Sequence, residues 1–286
     1  MRFLIFSDLD GTFLNSETYS FGSLKNYIKK FNFQYELIFV SSKTYDEIIN
    51  IHKELNINFP FIVENGACIF FPLDYFKKKK ISSKLDNYKN HLELRLTAFD
   101  AVKFYKQISF LKEKYNFSFY MDLPNKKITE LTNLKNDSVK LSKLRKFSNP
   151  ILWEDSFQKK SNFIEEVKTL YNYNSISEGG RFLHISDRFD KGLAINKLLD
   201  FKKEFDLPFI TISLGDSEND LPMFKLTDFA CIIKSKSKLK LDNVNKNLYI
   251  SNMKAPDGWK ESLDFIFKKE IKNFWFLSKW TCRYPA

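Results

Sequence analysis

Glycine and proline are scarce, with eight of each in 286 residues. So low a glycine count argues against a collagenous or linker-rich chain. Cysteine is scarcer. Cys68, Cys231 and Cys282 are far apart and odd in number, and no CxxC or Cys/His spacing of a zinc site is present. That pattern points to a reducing compartment. No apolar run is long enough to span a bilayer, and no charged start leads into an apolar h-region. A soluble cytoplasmic protein without a membrane partner is expected. Internal repeats are not evident.

Phenylalanine is abundant, at 31 residues, and apolar residues make up 43% of the chain. The length allows a substantial core and two domains. The formal net charge is +11. Such an excess fits a nucleic-acid surface. It also fits a compositional habit, because Lys, Asn, Ile and Phe are abundant together. The lysines are scattered and no nucleic-acid module signature occurs, so the second reading is preferred and no nucleic-acid partner is expected. The run Lys77–Lys80 reads as a solvated segment.

Apolar patterning places strands at 2–7, 37–40 and 61–63, with a further extended stretch at 67–71. Helical spacing covers 22–31 and 45–55, and Thr44 and Asp46 look like helix-start residues. This alternation argues for a parallel sheet with helices on both faces, an α/β fold. From about residue 74 the chain turns rich in Lys, Asn and Ser, with helices expected at 96–114, 138–146 and 160–175 and a strand at 182–185. The α/β pattern returns with a helix at 191–205, a strand at 210–214, a helix after Gly215 and a strand at 230–233. The chain therefore reads as a core of residues 1–74 and 186–286, interrupted by an inserted α/β domain at 75–185. The apolar stretch 274–280 is expected to pack on the core.

Two aspartates, Asp8 and Asp10, follow the first strand within DLDGT. Like charges so close need a shared proton or a bound cation. Ser41 follows the second strand, Lys191 opens a helix after Asp190, and Asp216 and Asp220 lie in GDSEND. In an open parallel sheet, ligands bind beyond the strand C-terminal ends, so neighbouring strands would bring these groups to one edge. Taken singly, DLDGT could be a capped turn, Ser41 a helix start, Lys191 a surface lysine and GDSEND an acidic loop. Their joint order makes coincidence a poor account. Carboxylates with nothing softer nearby suit Mg²⁺ rather than zinc. With Lys191, the cation would neutralise a phosphoryl group. Asp8 would attack phosphorus as nucleophile, and Asp10 would serve as acid and base.

The set resembles the haloacid dehalogenase superfamily of phosphatases: DLDGT (8–12), Ser41, Lys191 in DKG, and GDSEND (215–220) match its four motifs. Within it, VSSKT (40–44), PFIVENGACIFFP (60–72), NPILWED (149–155), GGRFLHISDRFDKG (179–192), GDSENDLPMF (215–224) and APDGWKE (255–261) resemble the mannosyl-3-phosphoglycerate phosphatase family. The resemblance implies a Rossmann-like core with an α/β cap between the second and third motifs. It implies Mg²⁺ held by the side chains of Asp8 and Asp216 and the backbone carbonyl of Asp10. Ser41 and Lys191 would hold the phosphoryl group, and Asn219 and Asp220 would steady the metal shell or Lys191. The expected substrate is a phosphorylated sugar acid, a glycosyl-3-phosphoglycerate. Another sugar-phosphate phosphatase or a phosphomannomutase-like phosphotransferase is the alternative, since the same motifs run both. Ser42, Lys43, Arg145, Arg181 and His184 are candidate substrate contacts. The two arginines could take a carboxylate bidentately, although Arg145 could equally be a surface helix position and His184 a packed strand residue. Trp153 and Trp259 read as core before sugar-stacking residues. Gly66 would permit a sharp turn or a close backbone approach.

Overall fold

The structure is a computed structural model, and it describes residues 2–76, 85–171, 175–179, 182–187, 189–205, 208–236, 239–241 and 247–281. The chain opens with β1 (Arg2–Ser7), α1 (Leu24–Ile28), β2 (Gln34–Phe39) and α2 (Tyr45–Leu55). Next come β3 (Phe61–Val63), β4 (Cys68–Pro72), β5 (Asp86–Tyr88), β6 (His91–Arg95) and α3 (Ala101–Ile108). Then follow β7 (Phe117–Phe119), α4 (Asn125–Thr132), α5 (Asn136–Ser142), β8 (Ile151–Trp153), α6 (Phe157–Tyr171), β9 (Ser175–Gly179) and β10 (Phe182–Ser186). The last elements are α7 (Lys191–Phe205), β11 (Phe209–Gly215), α8 (Leu221–Phe224), β12 (Phe229–Ile232), β13 (Leu248–Ile250) and α9 (Asp257–Thr281). None of the helices, among the described residues, is long and apolar enough to cross a membrane.

Two compact units arise, one of residues 1–37 and 207–286, the other of residues 38–206. The stretch 75–185, expected as an insertion, lies wholly within the second unit.

In the first unit the sheet runs β13-β12-β11-β1-β2, and the β1–β11, β11–β12 and β12–β13 pairings are parallel. Phe3, Leu4, Ile5 and Phe6 of β1 are all at most 1% exposed, as a strand covered on both faces requires. The register Ser7↔Leu214 brings the C-terminal ends of β1 and β11 level. Beyond this edge the chain leaves β1 in one direction and β11 in the other, the switch point of a doubly wound sheet. Part of the phenylalanine excess is spent here: the Phe3 ring meets Phe33 and Phe267 at 5.2 and 5.0 Å, and Phe31 stacks on Phe33 at 5.0 Å.

The second unit holds two four-stranded sheets, β7-β8-β10-β9 and β3-β4-β6-β5. Phe104 and Ile108 of α3 and Phe163 and Val167 of α6 form a buried cluster with Phe117, Phe119, Ile151, Leu183 and Ile185 of the first of these sheets. Helix α2 begins at a capping box, Thr44 with Glu47, and ends at Asn56 in the left-handed region, φ 57°.

The structure departs from the sequence reading at several elements. The third expected strand, β3, meets the parallel order only through one bridge, Val40↔Ile62, and otherwise pairs antiparallel with β4. The turn between them explains this: Glu64, Asn65 and Gly66 have φ of 47°, 63° and 106°, which reverses the chain. The 96–114 helix starts only at Ala101, because the Asp100 side chain caps it by accepting from Lys103 N at 2.8 Å. The hairpin β5–β6 precedes it, where no strand was expected. Helix α5 stops at Ser142 rather than 146, because the N–H groups of Lys146 and Phe147 donate to the Glu64 carboxylate instead of to helical carbonyls.

Candidate active site

In the first unit, β1 delivers Asp8 and β11 delivers Asp216 to adjacent strand ends. The Asp8 N–H donates to the Leu214 carbonyl at 2.9 Å, so β11 itself fixes the start of the DLDGT turn. That turn closes tightly, with Leu14 N on the Leu9 carbonyl at 2.7 Å and Gly11 N on the Leu14 carbonyl at 2.9 Å. Gly11 has φ +81°, and a Cβ there would stand 2.7 Å from Asp216 Oδ2. Glycine is needed both for the backbone conformation and for the approach of the Asp216 carboxylate. Thr12 Oγ1 donates to Asp216 Oδ1 at 3.3 Å.

Asp8, Asp216 and Asp220 each offer a carboxylate oxygen, and these atoms lie within 4.8 Å of one another. Asp8 is 6% exposed and Asp220 fully buried. Asp220 is oriented by its own loop: its Oδ2 accepts from Asp216 N at 2.9 Å, Ser217 N at 3.0 Å and Ser217 Oγ at 3.1 Å. Three acidic groups packed so closely repel unless a cation sits among them, and an all-oxygen donor set fits a hard divalent ion. The residues present therefore fit Mg²⁺. The cluster holds both carboxylates expected as ligands, Asp8 and Asp216, and adds Asp220; Asp10 was expected to offer only its backbone carbonyl, and its side chain is outside the cluster. Asp10 lies in the tight turn, bridged to Leu14. Asn219 is exposed, and its Oδ1 accepts from Ser217 Oγ at 2.6 Å.

In the second unit, Ser41 is fully buried. Its N–H donates to the Ile62 carbonyl at 3.1 Å, its carbonyl accepts from Asn65 N at 2.9 Å, and its Oγ accepts from Lys43 N at 3.3 Å. Lys43 is 7% exposed, with Nζ 3.6 Å from Glu47 Oε1. Lys191, the first residue of α7, is 1% exposed, which disposes of the surface-lysine reading. Asp190 Oδ1 caps this helix, accepting from Leu193 N at 2.7 Å. Gly66 is essential beside it: at φ +106°, a Cβ would come to 2.1 Å from the Asp190 carbonyl oxygen.

Arg145 is neither helical nor exposed; its side chain is 8% accessible. Nη2 donates to the Ser42 carbonyl and Nε to Ser148 Oγ, each at 2.9 Å. Among the described residues Nη1 has no hydrogen-bond acceptor, which leaves part of the guanidinium fork for an anion. His184 on β10 is pushed down to about 4, first by burial and then by the Arg145 cation, so its imidazole is neutral at pH 7. The structure thus brings Ser42, Arg145 and His184 into one electrostatic neighbourhood. Arg181 lies outside the described residues. Trp153 is half-buried against the cluster of the second unit, and Trp259 is a core residue. Trp153 stacks on Phe117 and packs against Phe163 at 5.2 Å, and fully buried Trp259 donates from Nε1 to Ser7 Oγ at 2.9 Å. Ser7 Oγ in turn donates to the Asp8 carbonyl at 2.7 Å, so Trp259 supports the start of the DLDGT turn.

Sequence reasoning missed Glu64, Tyr120 and Ser148. Tyr120 OH shares a hydrogen bond with Ser142 Oγ at 2.7 Å, and the Arg145 and Lys43 charges act on its hydroxyl. The one available signal was the carboxylate in the ENG break between two apolar runs, an odd place for a residue that proves 2% exposed.

Comparison with known proteins agrees with this geometry. Residues 5–274 match the haloacid dehalogenase-like hydrolase family. The glucosyl-3-phosphoglycerate/mannosyl-3-phosphoglycerate phosphatase of Persephonella marina is 35% identical over 270 residues, covering 91% of this chain and 95% of that protein. Its counterpart in Methanococcoides burtonii is 31% identical, over 94% of this chain and 98% of its own. Among solved structures, a haloacid dehalogenase-like hydrolase from Bacteroides thetaiotaomicron shares the fold with a TM-score of 0.62 at 18% identity, over 92% of this chain and 99% of that one. A family match that runs almost end to end, over a parallel sheet with acidic groups at its switch point, leaves one conclusion: the chain belongs to the haloacid dehalogenase-like hydrolases.

Proposed function

We propose that this hydrolase is a Mg²⁺-dependent phosphatase that releases phosphate from a glycosyl-3-phosphoglycerate, with the mannosyl ester as the first choice. The observation that carries the reading is the Asp8–Asp216–Asp220 cluster at the ends of β1 and β11, in a chain whose near-full-length relatives bear that name. Asp8 and Asp216, with the backbone carbonyl of Asp10, would hold Mg²⁺, and Asp220 would steady them. Bound there, the ion supplies positive charge against the substrate phosphate and the carboxylates.

Asp8 attacks phosphorus, the bond from phosphorus to the glycerate oxygen breaks, and Asp10 gives that oxygen its proton. Asp10 then takes a proton from water as the water attacks the aspartyl-phosphate, which frees Asp8 and inorganic phosphate. Ser41 and Lys191 hold the phosphoryl oxygens through both halves. Residues 75–185 act as the cap that selects the substrate. Arg145 takes the glycerate carboxylate, with Arg181 assisting. Ser42 and Lys43 complete the polar lining, and neutral His184 can donate to or accept from a sugar hydroxyl.

The test is phosphate release across mannosyl- and glucosyl-3-phosphoglycerate, simple sugar phosphates and an aryl phosphate, with and without a chelator. The expected outcome is the highest kcat/KM on a glycosyl-3-phosphoglycerate and reversible loss of turnover on chelation. Interconversion of sugar phosphates without net phosphate release would assign a phosphotransferase instead.

A further inference from the structure

Glu64 lies in the PFIVENGACIFFP segment and is 2% exposed, yet none of the roles above is assigned to it. Its backbone is held in the left-handed region at φ 47°, followed by Asn65 at 63°. Non-glycine residues rarely adopt that conformation, and two in succession need strong local support. The support is visible: Glu64 N donates to the Lys43 carbonyl at 3.0 Å and Asn65 N to the Ser41 carbonyl at 2.9 Å. The strained turn is thereby keyed to the Ser41–Lys43 segment. The side chain reaches the other way. Its Oε1 accepts from Lys146 N at 2.9 Å, and its Oε2 accepts from Phe147 N at 3.1 Å and Ser148 Oγ at 2.6 Å.

Arg145 closes the loop. Its hydrogen bonds go to neutral acceptors, the Ser42 carbonyl and Ser148 Oγ, and its Nε stands 3.8 Å from Glu64 Oε2. The Glu64 oxygens are thus spent on the N–H and O–H groups of residues 146–148, not on a bidentate pair with the guanidinium. The carboxylate orients Arg145 without capping it. Bidentate anion recognition depends on the plane of the guanidinium, so a device that fixes that plane acts on affinity for a carboxylate. We propose that Glu64 is a positioning residue for substrate selection: it fixes the 145–148 turn so that Arg145 meets the substrate's carboxylate. This rests on the assignment of Arg145 to a glycerate carboxylate.

Two effects of Glu64→Gln oppose each other. Loss of the negative charge strengthens the attraction of Arg145 for an anion, while loss of the Oε2 acceptor releases the turn. Positioning is expected to dominate, because Oε2 serves two of the three hydrogen bonds to the turn. The readout is the ratio of kcat/KM for mannosyl-3-phosphoglycerate to kcat/KM for p-nitrophenyl phosphate, which carries no carboxylate. The full chain is assayed with Mg²⁺. Glu64→Gln should lower the ratio at least about tenfold, mainly through KM, and Arg145→Ala should lower it similarly. The double variant should be no worse than Arg145→Ala alone, since residues acting as one unit are not additive. Ser148→Ala, a milder cut in the same network, should lower the ratio by a smaller factor, and it decides the matter if Glu64→Gln fails to fold. An unchanged ratio, tighter binding of the acidic ester, or multiplying effects in the double variant overturns the proposal while the substrate reading stands. A wild-type ratio near one, with glucosyl-3-phosphoglycerate no better, overturns the substrate reading and this inference with it.

Discussion

At 1% exposure, Lys191 is placed where a lysine serves something other than solubility, and Asp8, at 6%, is an acid kept from bulk water. Both were legible as candidates because each follows a strand or opens a helix within a short motif. Asp8→Asn keeps the shape and removes the proposed nucleophile. Turnover should fall by about a thousandfold or more, while the melting temperature in chelator stays within a few degrees of wild type. Near-normal phosphate release from this variant would reject the covalent route. Gly66 tests a different property. Gly66→Ala puts a methyl group 2.1 Å from the Asp190 carbonyl oxygen at φ +106°, so the start of α7 must shift. A loss of about 1–3 kcal/mol in chemical unfolding is expected. No loss would show that the approach is easily relaxed. Arg145 and Glu64 were legible in different degrees. Arg145 stood out as a cation in or near the cap, but nothing local announces that its turn is held by a carboxylate far away in the chain.

At the scale of elements, local chemistry wrote some boundaries and distant chemistry wrote others. Helix α2 spans Tyr45–Leu55 as its spacing predicts, because Thr44 and Glu47 cap it and Asn56 ends it. Helix α5 is cut short by Glu64, from outside its own sequence. The hairpin β5–β6 escaped notice because its first strand, Asp86–Tyr88, is half-buried to exposed and carries no apolar run. Helix α2 and the β3–β6 sheet also hold an acid-sensitive pair. Burial pushes His52 down to about 3 and lowers His91, whose Nδ1 shares a hydrogen bond with Tyr45 OH at 2.8 Å. Neutral histidine is the form the fold accepts. Below the unfolded value of about 6.5 the unfolded chain binds more protons, so stability falls as pH drops from there toward about 3. The slope is roughly 1.4 kcal/mol per pH unit for each such histidine. Glu261 adds acid sensitivity only in a lower window, below the ordinary glutamate value of 4.5. Burial raises it, but donors from Asn252, Tyr249 and Met253 prevail and bring it to about 2. Urea unfolding at pH 5.0 and 7.5 separates the two. His52→Phe should lose less stability between these conditions than wild type, and an equal loss would place the acid sensitivity elsewhere.

For the whole molecule the formal net charge is +11, and the lysines are scattered along the sequence. Lysines pair with nearby acids at many separate places, among them Lys89–Asp46, Lys112–Asp122, Lys114–Glu166 and Lys260–Asp264. The metal reading makes a global prediction. Mg²⁺ at about a hundred times its dissociation constant should stabilise the fold by about 2.7 kcal/mol. Asp216→Asn should remove most of that gain in calorimetry with and without chelator, and full retention would move the ion elsewhere. The sequence by itself determined the α/β class and the acidic and cationic candidates, because helix caps, apolar periods and strand-end motifs are local and their physics acts over a few residues. Only the tertiary structure decided that β3 runs against β4, that Asp220 joins Asp8 and Asp216, and that Glu64 holds the Arg145 turn. These depend on hydrogen bonds and close approaches between residues far apart in the chain, and no local pattern encodes which distant group will satisfy a buried donor or charge.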